Sequence, residues 1–460
     1  MLSRSLPWRP RAAALANWRS RSSLLDLGVV AALMPLFFFP WRWPALTLVA
    51  LFAIPLAWVL RWRRTGQLTA RTGMEAPLVY VLLATCLATV PITDWQLGLP
   101  KLLGMVLGAA TMVAVSNTVT SRPALSRAVV AVAALALLLS GVGLVGVEWA
   151  IGKMAALDPV YSRLPVLVRG VVPNTRDGGI HPNELAGTLV LLLPVLLAPG
   201  LGLLFSGRRS PDRLWLGGVV LCGLVGLIVL AATQSRSGLA GAGVALSLLG
   251  GAGVARIVRA GRVPWLLRVL TVLGYVAVLA AGGWLGWQML GHWMSASGGS
   301  ESLDTFESRV ELWNRAGYML QDFPFTGIGL GQFSPVLHAL YVPFLIAPDT
   351  FMPHAHNIYL EYALELGIPG AVAFGCLLVV FFRRCLQAVG SDDPLLRWTG
   401  LGLALGMLGF LAYGLTDAIA PGARAGLVVW VVMGLGGAVG RLTLAPKLFN
   451  GPNLSRNEHS

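Results

Sequence analysis

Four side chains in this sequence have the type and placement to act on a phosphorylated group and a hydroxyl. Arg236 stands in ATQSRSGLAG, between two apolar runs with almost no loop. A guanidinium there is costly in a purely structural role and suits bidentate contact with phosphate oxygens, the lesser alternative being a snorkelling arginine that orients the hairpin. Arg309, in SRVELW, follows Phe306 by three and precedes Trp313 by four, and it has no carboxylate three or four residues away. Arg315 does have one, in Glu311, so Arg315 is the helix salt bridge and Arg309 the better working residue. His354 and His356, in HAHN, are the acid/base candidates, because imidazole titrates near neutrality and can take a proton from a sugar hydroxyl. Spacing does not choose between these two histidines, and a solvated polar pair is the competing account.

Around these four lie weaker candidates. His-x-His can ligate a metal, but no nearby cysteine or histidine offers a third ligand, so no metal is expected. Asn357 sits beside the histidines, and Glu361 and Glu365 continue from it at four-residue steps as one stripe into an apolar run. Carboxylates at that depth are expensive unless they face a cavity or a partner. His181, in HPNELAG, shapes the entry of another apolar run and is a lesser candidate for substrate contact. Asp417, in GLTDAIAPG, positions a cation or a histidine, or serves a helix end. Glu301, Asp304, Glu307 and Glu311 read as a solvated face, and His292 and His338 as surface histidines. Glycines 327, 329 and 331 predict a tight turn that exposes its backbone, but without a βαβ context they are no nucleotide fingerprint and imply no cofactor.

The elements that must position these groups are membrane helices. Apolar residues make up 56% of the 460 positions and charged residues 12%, against roughly a quarter charged in soluble domains. About twelve apolar runs of roughly 17 to 25 residues follow one another. The first two, near 24–40 and 44–60, are short for a full crossing, and a third lies near 76–93. The expected fold is therefore an all-α polytopic membrane protein of about 12 transmembrane helices. A short amphipathic helix over 305–320 lies in a large outer loop at 288–355 and stops at Asp322-Phe-Pro324.

Charge distribution orients the chain. Most of the 34 basic residues fall in loops on one side of the expected spans and most of the 20 acidic residues on the other. The positive-inside rule then puts both termini in the cytoplasm and 288–355 outside. The net charge of +14 thus sets orientation and contacts anionic lipid, and no basic stripe interleaved with aromatics points to nucleic acid. The arginine-rich N-terminus lacks a small-residue cleavage site and is expected to be a cytoplasmic extension. The four cysteines form no CxxC pair and imply neither a disulfide framework nor a metal site. Three parts follow: 1–182 with the N-terminal helices and first outer loop, 183–442 as the core, and 443–460 as a cytoplasmic tail.

The segments HPNELAG at 181–187, TQSRSG at 233–238, SRVELW and PFTGIGLGQF within 308–333, HAHNIYLEYALELGIPG at 354–370 and the Asp417 region resemble, in this order, the O-antigen ligase and polymerase family of bacterial envelope glycosyltransferases. The resemblance spans roughly residues 180–440. It implies transfer of a glycan from undecaprenyl diphosphate to an acceptor hydroxyl, on lipid A core or a growing polysaccharide. The reaction would take place at the outer face of the inner membrane, with inversion and without metal or other cofactor. In that picture Arg236 and Arg309 hold the diphosphate, His356 removes the acceptor proton, and His181, Asn183, Asn357, Glu361 and Asp417 contact or support the substrates. The ligase and polymerase branches share these motifs. A different class, a multi-span transporter or flippase for an anionic solute or lipid, also fits the span count and outer arginines.

Overall fold

A computed structural model describes residues 25–146, 181–205, 213–260, 263–295, 306–347 and 350–449. The first outer loop, the N-terminal extension and the last residues of the tail lie outside these segments, as do Glu301 and Asp304. Among the described residues all regular structure is helical. Ten helices are long and apolar enough to cross a membrane. Two of the expected runs are shorter apolar helices, α1 (Leu25–Phe38) and α4 (Glu75–Leu87), each followed within a few residues by a proline, Pro40 or Pro91. The second run is two helices, α2 (Pro44–Ala50) and α3 (Ala53–Thr65), that together make one span.

The rest of the chain is α5 (Trp95–Thr118), α6 (Arg122–Gly146), α7 (Pro182–Phe205), α8 (Arg213–Ala232), α9 (Arg236–Arg259), α10 (Trp265–Ser295), α11 (Phe306–Asp322), α12 (Phe333–Leu340), α13 (Ile358–Val389), α14 (Pro394–Tyr413) and α15 (Leu427–Phe449). The centre of the bundle is α7 against α14, flanked by α8, α9, α13 and α15, with α5 packed on the other side of α15. Glycines let the two central backbones meet: a Cβ on Gly406 would overlap the Leu191 carbonyl oxygen. Between helices in lipid such close packing replaces the hydrophobic drive. At the periphery no part of the α10 span is buried, so its apolar surface faces lipid.

One end of the bundle carries the site. There α11 is amphipathic as expected, within two residues of the predicted limits, with Arg309, Leu312, Ala316 and Met319 buried. These positions recur at three- and four-residue steps, and their apolar members join one core with Phe333, Met352 and Leu364. The turn after α11 corrects the sequence expectation. Residues 327–332 are buried, and the N–H groups of Ile328 and Gly331 are spent on α13 rather than exposed. Ile328 N–H donates to the Leu364 carbonyl (2.7 Å), Ile368 N–H to Pro324 (2.8 Å) and Gly331 N–H to Glu365 Oε1 (2.9 Å). The partner is a break in α13 at Gly367, with φ 72° and ψ 168°, in ELGIPG. A Cβ on Gly327 or Gly367 would strike the opposing backbone. The two glycine motifs are thus halves of one joint that fixes the segment from α11 to the following turn onto α13.

Candidate functional site

The site is assembled where α13 begins. Asn357 caps that helix, its Oδ1 accepting the N–H groups of Tyr359 (3.0 Å) and Leu360 (3.1 Å), while its Nδ2 donates to the Leu415 carbonyl (3.0 Å). This double use ties the 354–357 turn to the 414–418 segment that follows α14. His356 adopts φ 51°, a left-handed conformation rare outside glycine that the surrounding bonds must hold. Its Nδ1 lies 3.1 Å from Asp417 Oδ1.

The carboxylate is ionised, which settles the direction of that bond. Burial alone would raise the Asp417 carboxyl. The hydrogen bond from His356 and the positive fields of His356, Arg309 and His354 outweigh burial and hold it well below the usual carboxylate range. An ionised carboxylate only accepts, so His356 Nδ1–H donates and Nε2 is left as the basic nitrogen. His354 is held differently. Its Nδ1 accepts the His356 backbone N–H (3.2 Å), its ring meets that of His356 at 4.4 Å, and it is buried. Burial first, then the charge of His356, push its pKa well below the ordinary imidazole value, so His354 is neutral.

Arg309 reaches this pair from α11. It is buried, and its Nη1 donates to the Thr416 carbonyl, one residue before Asp417. Arg315 pairs with Glu311 (3.5 Å) as the spacing predicts. Glu311 is not simply solvated: its carboxylate also accepts the N–H groups of Phe344 and Leu345. His338 is half-buried rather than on the surface, with Nδ1 2.8 Å from the Ser334 carbonyl. Arg236 is the first residue of α9 and is half-buried. Its neighbour Ser237 joins Thr416 by a 2.8 Å hydroxyl contact, which brings the α9 terminus to the segment that Arg309 binds. At the start of α7, His181 is exposed and its Nδ1 accepts the Asn183 N–H (3.3 Å), while Asn183 is buried. The charge of His181 still reaches His354.

Below the histidines lies a second polar cluster that spacing half revealed. Glu361 and Glu365 are fully buried, and their partner is Lys101 of α5. Lys101 forms an ion pair with Glu365 and lies 3.9 Å from Glu361 Oε1. Glu361 Oε2 accepts the Ala355 N–H (2.9 Å), so this cluster also holds the residue between the two histidines. Lys101 and Glu184, whose charge reaches both Lys101 and Asp417, were not among the sequence candidates. The signal for Lys101 was present: it is a lone cation in the second turn of an otherwise apolar run.

His354, His356 and Asp417 bring one ligand atom each within 4.8 Å of one another, so the third group missing from the spacing argument is a carboxylate 61 residues away. Two imidazoles and a carboxylate fit a zinc-like ion by donor type. His356 Nδ1 and Asp417 Oδ1 already satisfy one another as a histidine–carboxylate pair, while Asp417 Oδ2 is buried without a hydrogen-bond partner among the described residues.

Helices and cluster together define the class: a polytopic α-helical membrane protein with an imidazole–carboxylate pair and a buried arginine at one end of its spans. Residues 221–375, about a third of the chain, match the family model described as O-Antigen ligase, a match that supports the resemblance to the O-antigen ligase and polymerase family of glycosyltransferase-type membrane enzymes. The matched segment contains Arg236, Arg309, His354, His356, Asn357 and Glu361, while Asp417, His181, Asn183 and Lys101 fall outside it. No curated protein matches the chain.

Proposed function

We propose that this protein is a ligase-type glycosyltransferase that moves a glycan from undecaprenyl diphosphate to an acceptor hydroxyl, on lipid A core or a growing polysaccharide, without metal. The observation that carries the reading is the His356–Asp417 bond of 3.1 Å beside the Arg309 contact to Thr416. His356 Nε2 takes the acceptor proton, and the acceptor oxygen attacks the anomeric carbon from the face opposite the diphosphate. The bond from that carbon to the diphosphate oxygen breaks, its electron pair leaves with the diphosphate, and the configuration inverts. About two fixed cations stand in for a divalent metal at the leaving group, and Arg309 and Arg236 take that role. Their contacts strengthen where water is excluded. Asp417 orients His356, Asn357 and Glu361 hold the turn, and His181 and Asn183 flank the acceptor path. His354 is a positioning residue, because its Nδ1 is engaged and its ring is buried.

In this reading the site faces the outer side of the bacterial inner membrane and both termini are cytoplasmic. Support comes from Arg63, Arg122, Arg259, Arg397 and Arg441, which lie at the helix ends opposite the site. The test is transfer of a lipid-linked glycan by purified protein in proteoliposomes. Full activity of His356→Ala, Arg309→Ala and Arg236→Ala would overturn the proposal, as would loss of activity on chelation that zinc restores.

A further inference from the structure

Between α12 and α13 the chain turns an apolar run outward. From Leu340 to Ala347 it reads LYVPFLIA, without a charge. A loop of that composition in water would fold its side chains inward, yet only Pro343 and Ile346 are buried. Leu340 and Val342 are exposed, Phe344 is 87% exposed, and Phe325, just past the end of α11, is 72% exposed. Exposed apolar surface gathered in this way marks a partner or a membrane. Two ties hold the run along α11: Tyr341 donates to Asp322, three residues before Phe325, and the Glu311 carboxylate accepts the N–H groups of Phe344 and Leu345.

The helices beneath set the level of α11. Beyond the break at Gly367, α13 continues from Ile368 to Val389, about 33 Å at about 1.5 Å per residue. Its neighbour α14 is about 30 Å long, so each crosses a hydrocarbon core of about 30 Å once. The Ile358 N–H donates to the Gly414 carbonyl (2.8 Å), which returns the start of α13 to the level at which α14 ends. Residues 358–366 therefore lie along the membrane boundary instead of projecting beyond it. Beside them packs α11, with Trp313 Nε1 donating to the Ala355 carbonyl (3.1 Å) and, past its other end, Ile328 N–H to Leu364.

The lipid-facing surface of α13 leads directly to Phe325. Ile368 and Val372 are exposed one turn apart on that helix, and the Pro324 carbonyl accepts the Ile368 N–H (2.8 Å). Arg315 completes the pattern, its guanidinium carbon 4.9 Å from the Phe344 ring. An aromatic ring beside a snorkelling cation suits headgroup depth. We infer that Phe325, Leu340, Val342 and Phe344 form a lipid-binding foot that enters the phospholipid leaflet at the site's end of the bundle, to the depth of about 5–10 Å reached by interfacial apolar faces. Seated there, α11 carries Arg309 at the level of lipid phosphates. The contact fixes where α11 sits and holds whether or not the histidines carry out the transfer proposed above.

The experiment places the full chain in phosphatidylcholine nanodiscs with Cys86→Ala, Cys222→Ala, Cys376→Ala and Cys385→Ala, so that one introduced cysteine carries an environment-sensitive fluorophore. Labels at Phe325→Cys and Phe344→Cys are expected to shift to the blue and to be quenched more by lipid nitroxides near the headgroup than by nitroxides at the acyl end. Val379→Cys, exposed midway along the crossing part of α13, should show the reverse preference. Asn314→Cys, on the exposed polar face of α11, should be neither shifted nor quenched. Phe325 and Phe344 are exposed, so their replacement leaves the core intact. If the cysteine-free background fails to fold, the same two positions take a fluorescent amino acid by codon suppression with the native cysteines kept. Absence of quenching at both positions would overturn the inference, as would quenching of equal size at Asn314→Cys. A blue shift without quenching would also overturn it, because protein, from this chain or a second copy, would then cover the run.

Discussion

Two clusters of titratable side chains share the segment 354–365 and are held in opposite ways. His354, His356 and Asp417 sit on loops, with the His356 side chain 14% exposed. Lys101, Glu361 and Glu365 sit on helices inside the bundle, with both carboxylates at 0%. The upper cluster is joined by one side-chain bond and is open on one face. In the lower cluster Glu361 accepts a backbone N–H from the upper turn, Glu365 accepts one from the glycine joint, and Lys101 serves both acids. The upper cluster can therefore change protonation during a reaction, whereas the lower one has a fixed arrangement that the upper depends on.

The sharpest way to break this division is to remove the cation below. Lys101→Met leaves two buried carboxylates without their counter-charge, and loss of one partner of a buried ion pair costs about 3–5 kcal/mol. The expected result is a large drop in thermal midpoint, with transfer activity lost as the histidine turn loosens. Lys101→Met combined with Glu361→Gln and Glu365→Gln should recover much of the stability, because no uncompensated charge remains. If the single variant melts like the parent protein, the lower cluster is not a brace.

The upper cluster should respond in rate instead. Asp417→Asn keeps the shape of the carboxylate but removes the charge that orients His356, and proton-transfer groups contribute about 10²–10⁴-fold. A fall in kcat of about 10²-fold at near-constant KM for both substrates is expected, with the thermal midpoint shifted by far less than in Lys101→Met. A variant that binds weakly but turns over normally would place Asp417 in substrate binding.

Protonation separates the two histidines. His354 has a folded-state pKa below its unfolded value, so between the two values the unfolded chain binds more protons and stability rises with pH. Its contribution is complete above about pH 6.5 and is lost as pH falls below that, at up to about 1.4 kcal/mol per pH unit. Asp417 is also depressed, but its contribution persists until pH falls below about 4, the ordinary carboxylate value. Midpoints measured from pH 7.5 to 4.5 should slope downward with acid in the parent protein and flatten in His354→Gln. An unchanged slope in that variant would show that His354 is not the neutral, buried member.

Legibility in the sequence followed the range of each contact. Arg309 was separated from Arg315 because a missing helical partner is a local fact, and the amphipathic face of α11 is local too. The stripe Glu361–Glu365 announced a need for a partner, but nothing local pointed to Lys101, 264 residues from Glu365. The choice between His354 and His356 was closed to spacing because Asp417 arrives from after α14. The 327–331 turn was misjudged as exposed for the same reason: positive φ is visible as glycine, whereas the break at Gly367 that covers it belongs to another element. α1 and α4 end before the last apolar residues of their runs because hydropathy counts apolar residues without registering where a proline ends the helix.

The smallest effect tests how Arg236 joins the site. Its helix reaches the Asp417 segment through Ser237, whose hydroxyl meets Thr416 at 2.8 Å. Ser237→Ala removes that bond and leaves Arg236 in sequence, so the stability loss should be about 1 kcal/mol, the usual net value for a neutral pair. A pure stability role would leave kinetics alone. If the bond aims the α9 terminus at the leaving diphosphate, KM for the lipid-linked donor should rise about two- to threefold while KM for the acceptor stays constant. The donor-specific change is the decisive reading, because Asp417→Asn alters kcat without it. Those two outcomes together would assign the α9 terminus to the leaving group and the α13 turn to the proton.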